Sequence, residues 1–371
     1  MAVRSRSKRW IAAACLVVAA AVVAPFLLVS GVSQSVSQPI RSRSASPRLV
    51  SRRVPPATSG SHVRSGSPAA SGPPVRPAGR AGRHQTAHFS LSSSTPTPAQ
   101  LLAAMPQPPK GWTGAVHSVT QDGLVRSYLT LQPSQLPGPV PVVVLMHGRF
   151  MTADQILSYT RLAFSTGPAV IISAQGYERS WNAGACCGPA WRANVNDVAF
   201  IRAALDATFA STPMADRSRV YAVGFSNGGR MAYQLACEMP GVLAGFAAVE
   251  AIPVVSCPSM HPLDVTVVAQ QADPLLTTAA GAPPKRIYGR VEPTVPAELA
   301  HLRTLDGCSS PGRVLDVGIS IVTTWPCASS ATLRYVWYPG GGHSWRRGAA
   351  ATPGATAAVV AMIRLPHDLV G

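Results

Sequence analysis

No aspartate or glutamate occurs in the first 121 residues of this 371-residue chain. Aromatic residues make up only 6% of it and charged residues only 13%. Its seven cysteines include no C-x-x-C pair, and no segment recurs at a fixed period. Each absence excludes something. Without C-x-x-C spacing a zinc site has no support, and no metal is expected. Without repeats a solenoid has no support. The missing acids localise the net charge of +17. Residues 1–98 hold 13 of the 32 Lys and Arg, whereas the remainder sets 19 against all 15 acids, a net of only +4. The basicity therefore belongs to a tail. Its cations stand among Ser, Pro and Ala, so a stacking platform for bases is lacking and no nucleic-acid partner is expected. Loose contact of the tail with an anionic envelope or membrane surface fits its composition better.

Arg4, Arg6, Lys8 and Arg9 precede an apolar run over residues 11–29. A charged start followed by a hydrophobic stretch is the pattern of an export segment. The 19-residue run is long for a signal peptide and close to bilayer-spanning length, and Pro25 interrupts it. Two readings stay open: a cleaved signal with a secreted product, or a membrane anchor with an extracellular domain. The next stretch, rich in Ser, Pro, Arg and Gly, cannot bury enough apolar surface to offset chain entropy. We therefore expect an export segment at 1–30, a disordered linker at 31–105 and one folded domain at 106–371.

Cysteine usage agrees with export. Six cysteines lie beyond the apolar run: Cys186, Cys187, Cys237, Cys257, Cys308 and Cys327. An even number in an exported domain predicts three disulfides. Cys308 and Cys327 flank one short segment and form the preferred pair. The other four allow three connectivities, one with a vicinal 186–187 bond.

From about residue 110 the pattern is that of alternating strands and helices. Gln121-Asp122-Gly123 marks a hairpin turn within 116–132. PVVVLMHG (141–148) and AVIISAQG (169–176) read as strands buried on both faces. Residues 152–164, 195–210, 227–239 and 355–364 carry helical spacing. Further strands are read at 219–229, running into a sharp turn, at 243–252 and 264–273, and at 332–343, ending in a glycine-rich loop. This order predicts an α/β fold with a mostly parallel, doubly wound sheet. In such sheets, sites form beyond the carboxyl ends of the strands. His147, Ser226, Asp273 and His343 fall there.

Gly224-Phe225-Ser226-Asn227-Gly228 fits G-x-S-x-G, with an apolar strand before it and a helical pattern after it. That context defines a nucleophile elbow, a sharp turn that lifts the serine hydroxyl above the sheet. A serine needs a base oriented by a third group. His343, after Gly340-Gly341-Gly342, is the expected base. Asp273 is the expected orienting acid, with Glu250 as the alternative. The order Ser, Asp, His is that of α/β-hydrolases. The backbone N–H groups of Arg149 and Asn227 are the expected oxyanion donors. His147 is expected to be buried and structural. Trp181, Asn182 and Phe150 are candidate substrate contacts, and residues 275–330 are expected to cover the pocket.

Several segments resemble the secreted polyhydroxybutyrate depolymerase and feruloyl-esterase-like family of α/β-hydrolases. They are GFSNGGRMAYQLACE (224–238), WNAGACCGPA with NVNDVAFIRA (181–203), QQADP (270–274) and GGGHSW (340–345). The resemblance covers about residues 108–365. It implies an exported serine carboxylesterase without a cofactor, acting on small-molecule or polymeric esters, with its triad on Ser226, Asp273 and His343. The chain departs from the family in having Arg149-Phe150-Met151 where the loop is usually small, Gln270-Gln271-Ala272 before the acid, and Arg346-Arg347 after Trp345. Two other readings are compatible with the residues: a non-catalytic, envelope-tethered binding protein on a hydrolase scaffold, and a serine peptidase of the same fold.

Overall fold

The computed structural model describes residues 94–364 apart from 185, 254, 310 and 349–353. The expected export segment, and the linker up to residue 93, lie outside the described residues. The chain divides after Arg83 into two units, and every described residue belongs to the second.

In chain order the elements are α1 (Pro98–Ala104), β1 (Trp112–Gln121), β2 (Leu124–Pro133), β3 (Val140–Met146), α2 (Ala153–Thr160), β4 (Val170–Ala174), α3 (Pro189–Arg192) and α4 (Asp197–Ser211). There follow β5 (Ala215–Phe225), α5 (Asn227–Glu238), β6 (Gly245–Val249), β7 (Asp264–Gln270), β8 (Arg286–Ile287) and β9 (Arg290–Val291). The chain continues with α6 (Val295–Leu305), β10 (Arg313–Asp316), β11 (Ile321–Pro326), β12 (Thr332–Tyr338) and α7 (Ala355–Arg364). One sheet holds ten strands in the order β1-β2-β4-β3-β5-β6-β7-β12-β11-β10. Pairing is parallel from β4 through β12 and antiparallel at both ends. The hairpin turn falls on Asp122 and Gly123, both at positive φ (50° and 76°), as a two-residue turn requires.

Every residue of β3 is buried. The reason is layering. Val142, Val144 and Met146 point into one core with Phe200 and Leu205 of α4 and Met231 and Leu235 of α5. Val143 and Leu145 point into the other, with Ile156 of α2 and Val359 and Ile363 of α7. Both faces are covered, so the strand reads as a continuous apolar run. Each such buried side chain contributes about 1.5–3 kcal/mol.

Three expectations need correction. The ordered chain begins before residue 106, because α1 lies within the expected linker. Thr97 and Gln100 form a capping box, Pro98 opens the helix, and Leu101 is fully buried. Residues 275–330 are also more than a cover. Leu299 and Leu302 of α6 pack into the core, and β10 and β11 extend the sheet beyond β12. Lys285, from the part before α6, bonds to the turn that holds Asp273. The strand expected over 264–273 stops at Gln270, so Asp273 stands in the turn after it. The cysteines pair as Cys186–Cys187, Cys237–Cys257 and Cys308–Cys327. No helix among the described residues is long and apolar enough to cross a membrane.

Candidate active site

Ser226 sits between β5 and α5 with φ 53° and ψ −119°. A non-glycine residue at positive φ is strained and persists only where its surroundings enforce it. Here they do. The Ser226 N–H donates to the Val249 carbonyl (2.9 Å), pinning the turn to β6. A Cβ on Gly224 would stand 2.0 Å from the Gly228 carbonyl oxygen, and one on Gly228 would stand 2.3 Å from that of Met146. Strand and helix approach so closely that only glycine fits at either position.

His343 reaches the elbow from the loop after β12. Its Nε2 lies 2.7 Å from Ser226 Oγ and its Nδ1 lies 2.7 Å from Asp273 Oδ2. The hydroxyl, imidazole and carboxylate therefore form one chain above the strand ends. Asp273 Oδ1 accepts the Leu275 N–H (2.6 Å). Burial opposes ionisation of Asp273. Bonds from His343, Glu250 and the Leu275 N–H outweigh it and hold the carboxyl below its ordinary pKa. An Asp273 ionised in this way keeps the Nδ1 proton on His343 and leaves Nε2 free to accept from serine.

Gln270, at the end of β7, holds the histidine loop. Its Nε2 donates to the carbonyls of Gly342 (2.6 Å) and Ser344 (2.9 Å). The Trp345 N–H donates to the Tyr159 hydroxyl (2.9 Å) of α2. On the acid side, the Lys285 ammonium donates to the carbonyls of Asp273 and Leu276. These supporting residues escaped sequence reasoning. The signal for Gln270 was its departure from the family pattern just before the acid. Tyr159 and Lys285 carried no signal.

The Arg149 and Asn227 N–H groups, the expected oxyanion donors, have no hydrogen-bond partner among the described residues. Asn227 opens α5, where unpaired N–H groups collect positive potential. His147 is fully buried. Its Nε2 accepts the Gly176 N–H (3.0 Å), which leaves the proton on Nδ1, 2.8 Å from the Gly148 carbonyl. Burial, aided by Arg179 and Arg126, lowers its pKa to about 4, so the ring is neutral and structural as expected.

Trp181 does not line a pocket, contrary to expectation. Trp181 is 0% exposed, and its indole N–H donates to the His147 carbonyl (2.8 Å). The Asn227 side chain clamps its backbone from both sides, accepting from Trp181 N–H (2.7 Å) and donating to Trp181 O (3.2 Å). Asn182 spends its side chain on the Val195 carbonyl (2.9 Å) and its N–H on Asp197 (2.7 Å). Trp181 ties the start of the 181–188 loop to the elbow, and Asn182 ties it to the start of α4. Tryptophan's size and single donor suit it to such an anchor. Phe150 differs: it is 53% exposed, and the Arg149 guanidinium lies over its ring (4.3 Å) and near that of Tyr288 (5.7 Å). Glu250, the alternative acid, makes no bond to His343; it lies behind Asp273.

A mostly parallel sheet covered on both faces, with a strained serine between strand and helix at its centre, defines the α/β-hydrolase fold. No protein-family model matches the chain. The chain is similar to the protein named "Putative esterase NocK" of Nocardia uniformis subsp. tsuyamanensis, at 30% identity over 171 residues, 44% of this chain and 49% of that protein. It thus spans about half the length of the curated relative it matches. Similar solved structures include an acetyl xylan esterase from Aspergillus awamori (13% identity, TM-score 0.47, 62% of this chain and 94% of that one). An S-formylglutathione hydrolase from Agrobacterium tumefaciens is a further one (13% identity, TM-score 0.44, 64% and 91%).

Proposed function

We propose that this protein is an exported serine carboxylic-ester hydrolase that works through an acyl-enzyme. The observation that carries the reading is the unbroken chain Ser226–His343–Asp273, with both links at 2.7 Å. His343 Nε2 takes the hydroxyl proton as Ser226 Oγ attacks the ester carbonyl. The resulting oxyanion lies between the N–H groups of Arg149 and Asn227. Collapse breaks the bond to the alcohol, which leaves with the proton held by His343. Water then enters, gives a proton to His343 and attacks the acyl carbon. The second collapse releases the acid and returns the proton to Ser226. Among polyhydroxyalkanoate-type, feruloyl and acetyl esters, the exposed Phe150 and Tyr288 rings beside the oxyanion loop favour the first two. Each offers extended or flat apolar surface to an aromatic rim.

The test is direct. A fluorophosphonate probe labels Ser226 in the wild type, and Ser226→Ala loses both labelling and hydrolysis of short p-nitrophenyl esters. Hydrolysis that persists in the alanine variant removes the mechanism. A panel of p-nitrophenyl acetate, methyl ferulate and hydroxybutyrate oligomers then ranks the substrates. Export is read from the basic start and apolar run of residues 1–29, and mass determination of the N-terminus distinguishes a cleaved signal from an anchor.

A further inference from the structure

Glu250 is a buried acid for which the mechanism above finds no use. It follows β6 with φ 49°, in the left-handed region that a glutamate seldom adopts, and its N–H donates to the Val268 carbonyl (2.9 Å). Its residue exposure is 1%. One carboxyl oxygen, Oε2, accepts the Gln270 N–H (3.2 Å). The other, Oε1, is buried and no N–H or hydroxyl reaches it. The Glu250 side chain also neighbours the Asp273 carboxyl, with which it shares a side-chain hydrogen bond. The other titratable groups that face it are Tyr335 and Tyr338 of β12, and no Lys or Arg among the described residues forms an ion pair with it.

Two buried carboxyls in contact cannot both ionise. Asp273 has the better claim to the charge, because it already accepts from His343 and from the Leu275 N–H. The proton then belongs on Glu250, whose carboxyl has one buried oxygen that accepts no N–H or hydroxyl. Resting on the reading above that the triad is catalytic, we propose that Glu250 is a positioning residue. Its protonated carboxyl donates to the Asp273 carboxylate and holds it facing His343. Burial and the neighbouring Asp273 act in the same direction, pushing the Glu250 pKa up to about 10. The bond also draws charge out of Asp273 and so limits how strongly it favours protonated His343.

Three measurements on the full-length protein test this. First, the infrared difference spectrum of wild type minus Glu250→Gln at about pH 8 is expected to show the carbonyl stretch of a protonated carboxylic acid. Its absence overturns the proposal and requires no turnover. Second, Glu250→Leu, which cannot donate, is expected to lower kcat about 10- to 100-fold with KM little changed. The acid limb of its pH profile moves to higher pH, because Asp273 has lost a donor. Third, Glu250→Gln, which donates through its amide and still accepts from Gln270, is expected to restore kcat to within about threefold and to return the acid limb to its wild-type position. An acid limb displaced to lower pH in Glu250→Gln would mean that a negative charge had been removed, and the proposal falls. A Glu250→Leu variant that matches the wild type overturns it too. Fluorophosphonate labelling of Ser226 in the same samples separates these outcomes from failure of the esterase reading, which alone predicts labelling in the wild type.

Discussion

The serine elbow and the acid–base turns meet in one site but are held by different forces. The elbow is steric. Gly224 and Gly228 allow backbone to touch backbone, and the flanking ends of β5 (residues 220–225) and α5 (residues 227–233) are buried. The turns that carry the acid and the base, at residues 270–276 and 340–345, are held by polar bonds: Gln270 to the histidine loop, Lys285 to the acid turn, Glu250 to Asp273. Steric constraint demands a residue type at a fixed position. Polar support demands only that some donor arrive from anywhere in the chain. The first kind is therefore local, and the second is spread over tens of residues.

The largest effect comes from breaking the steric half. Gly228→Ala places a Cβ 2.3 Å from the Met146 carbonyl oxygen, and both neighbours are backbone of packed elements. We expect little folded protein, or a melting temperature lowered by more than about 10 °C, as overpacking of several kcal/mol would give. Circular dichroism checks it. A wild-type melting curve would show that the elbow can relax, and the contrast drawn above would lose its basis.

The polar half should respond in activity before stability. Asp273→Asn keeps the shape of the site but removes the charge that fixes the His343 tautomer. The expected loss is on the order of 10⁴-fold in kcat, with a melting temperature close to the wild type. Steady-state kinetics and a thermal melt on one sample decide it. A large loss of stability with little loss of kcat would reverse the assignment of roles.

The same contrast explains what the sequence showed. The elbow, the strand–helix alternation, the base and the acid were legible because each rests on a local pattern: G-x-S-x-G between strand and helix, glycines before His343, an aspartate just beyond an apolar strand. Trp181 was misread as a substrate contact, and the anchoring bonds that it and its neighbour Asn182 make were not foreseen. Their true partners, the Asn227 side chain and the carbonyls of His147 and Val195, come from elsewhere in the chain. Helix α6 was missed because Leu299 and Leu302 sit in a stretch dominated by Pro, Gly and Thr, which masks a short apolar spacing. Glu250 was identified as a carboxylate near the site, but its partner could not be chosen without the fold.

A smaller effect concerns pH. Burial pushes Glu298 and Asp306 up to about 7, and both side chains belong to the extended side of the sheet. Each is protonated in the folded state well above the pH at which it ionises in the unfolded chain. Their contribution is thus complete below about pH 4 and is lost as pH rises through about 7. We expect the domain to melt lower at about pH 8 than at about pH 5, by on the order of 1–3 kcal/mol in stability, and Asp306→Asn to flatten the difference. Melts at the two values check the sign. An increase in stability with pH, or no change on substitution, would show that these acids find partners when ionised.

The smallest effect is expected at Arg149, and it separates backbone from side chain within the oxyanion loop. The reading assigns the loop's contribution to an N–H group that every substitution except proline preserves. Arg149→Ala removes the guanidinium stacked on Phe150 but leaves that donor in place. The cation–π contact is exposed on one side, so its loss costs at most about 1 kcal/mol of order in the loop. The expected outcome is a two- to fivefold fall in kcat/KM on p-nitrophenyl acetate, carried mainly by KM. A fall of a hundredfold or more in kcat would place the guanidinium itself at the reacting atoms. The oxyanion would then be stabilised by a mobile charged side chain, and the steric, backbone-built character of this half of the site would not hold.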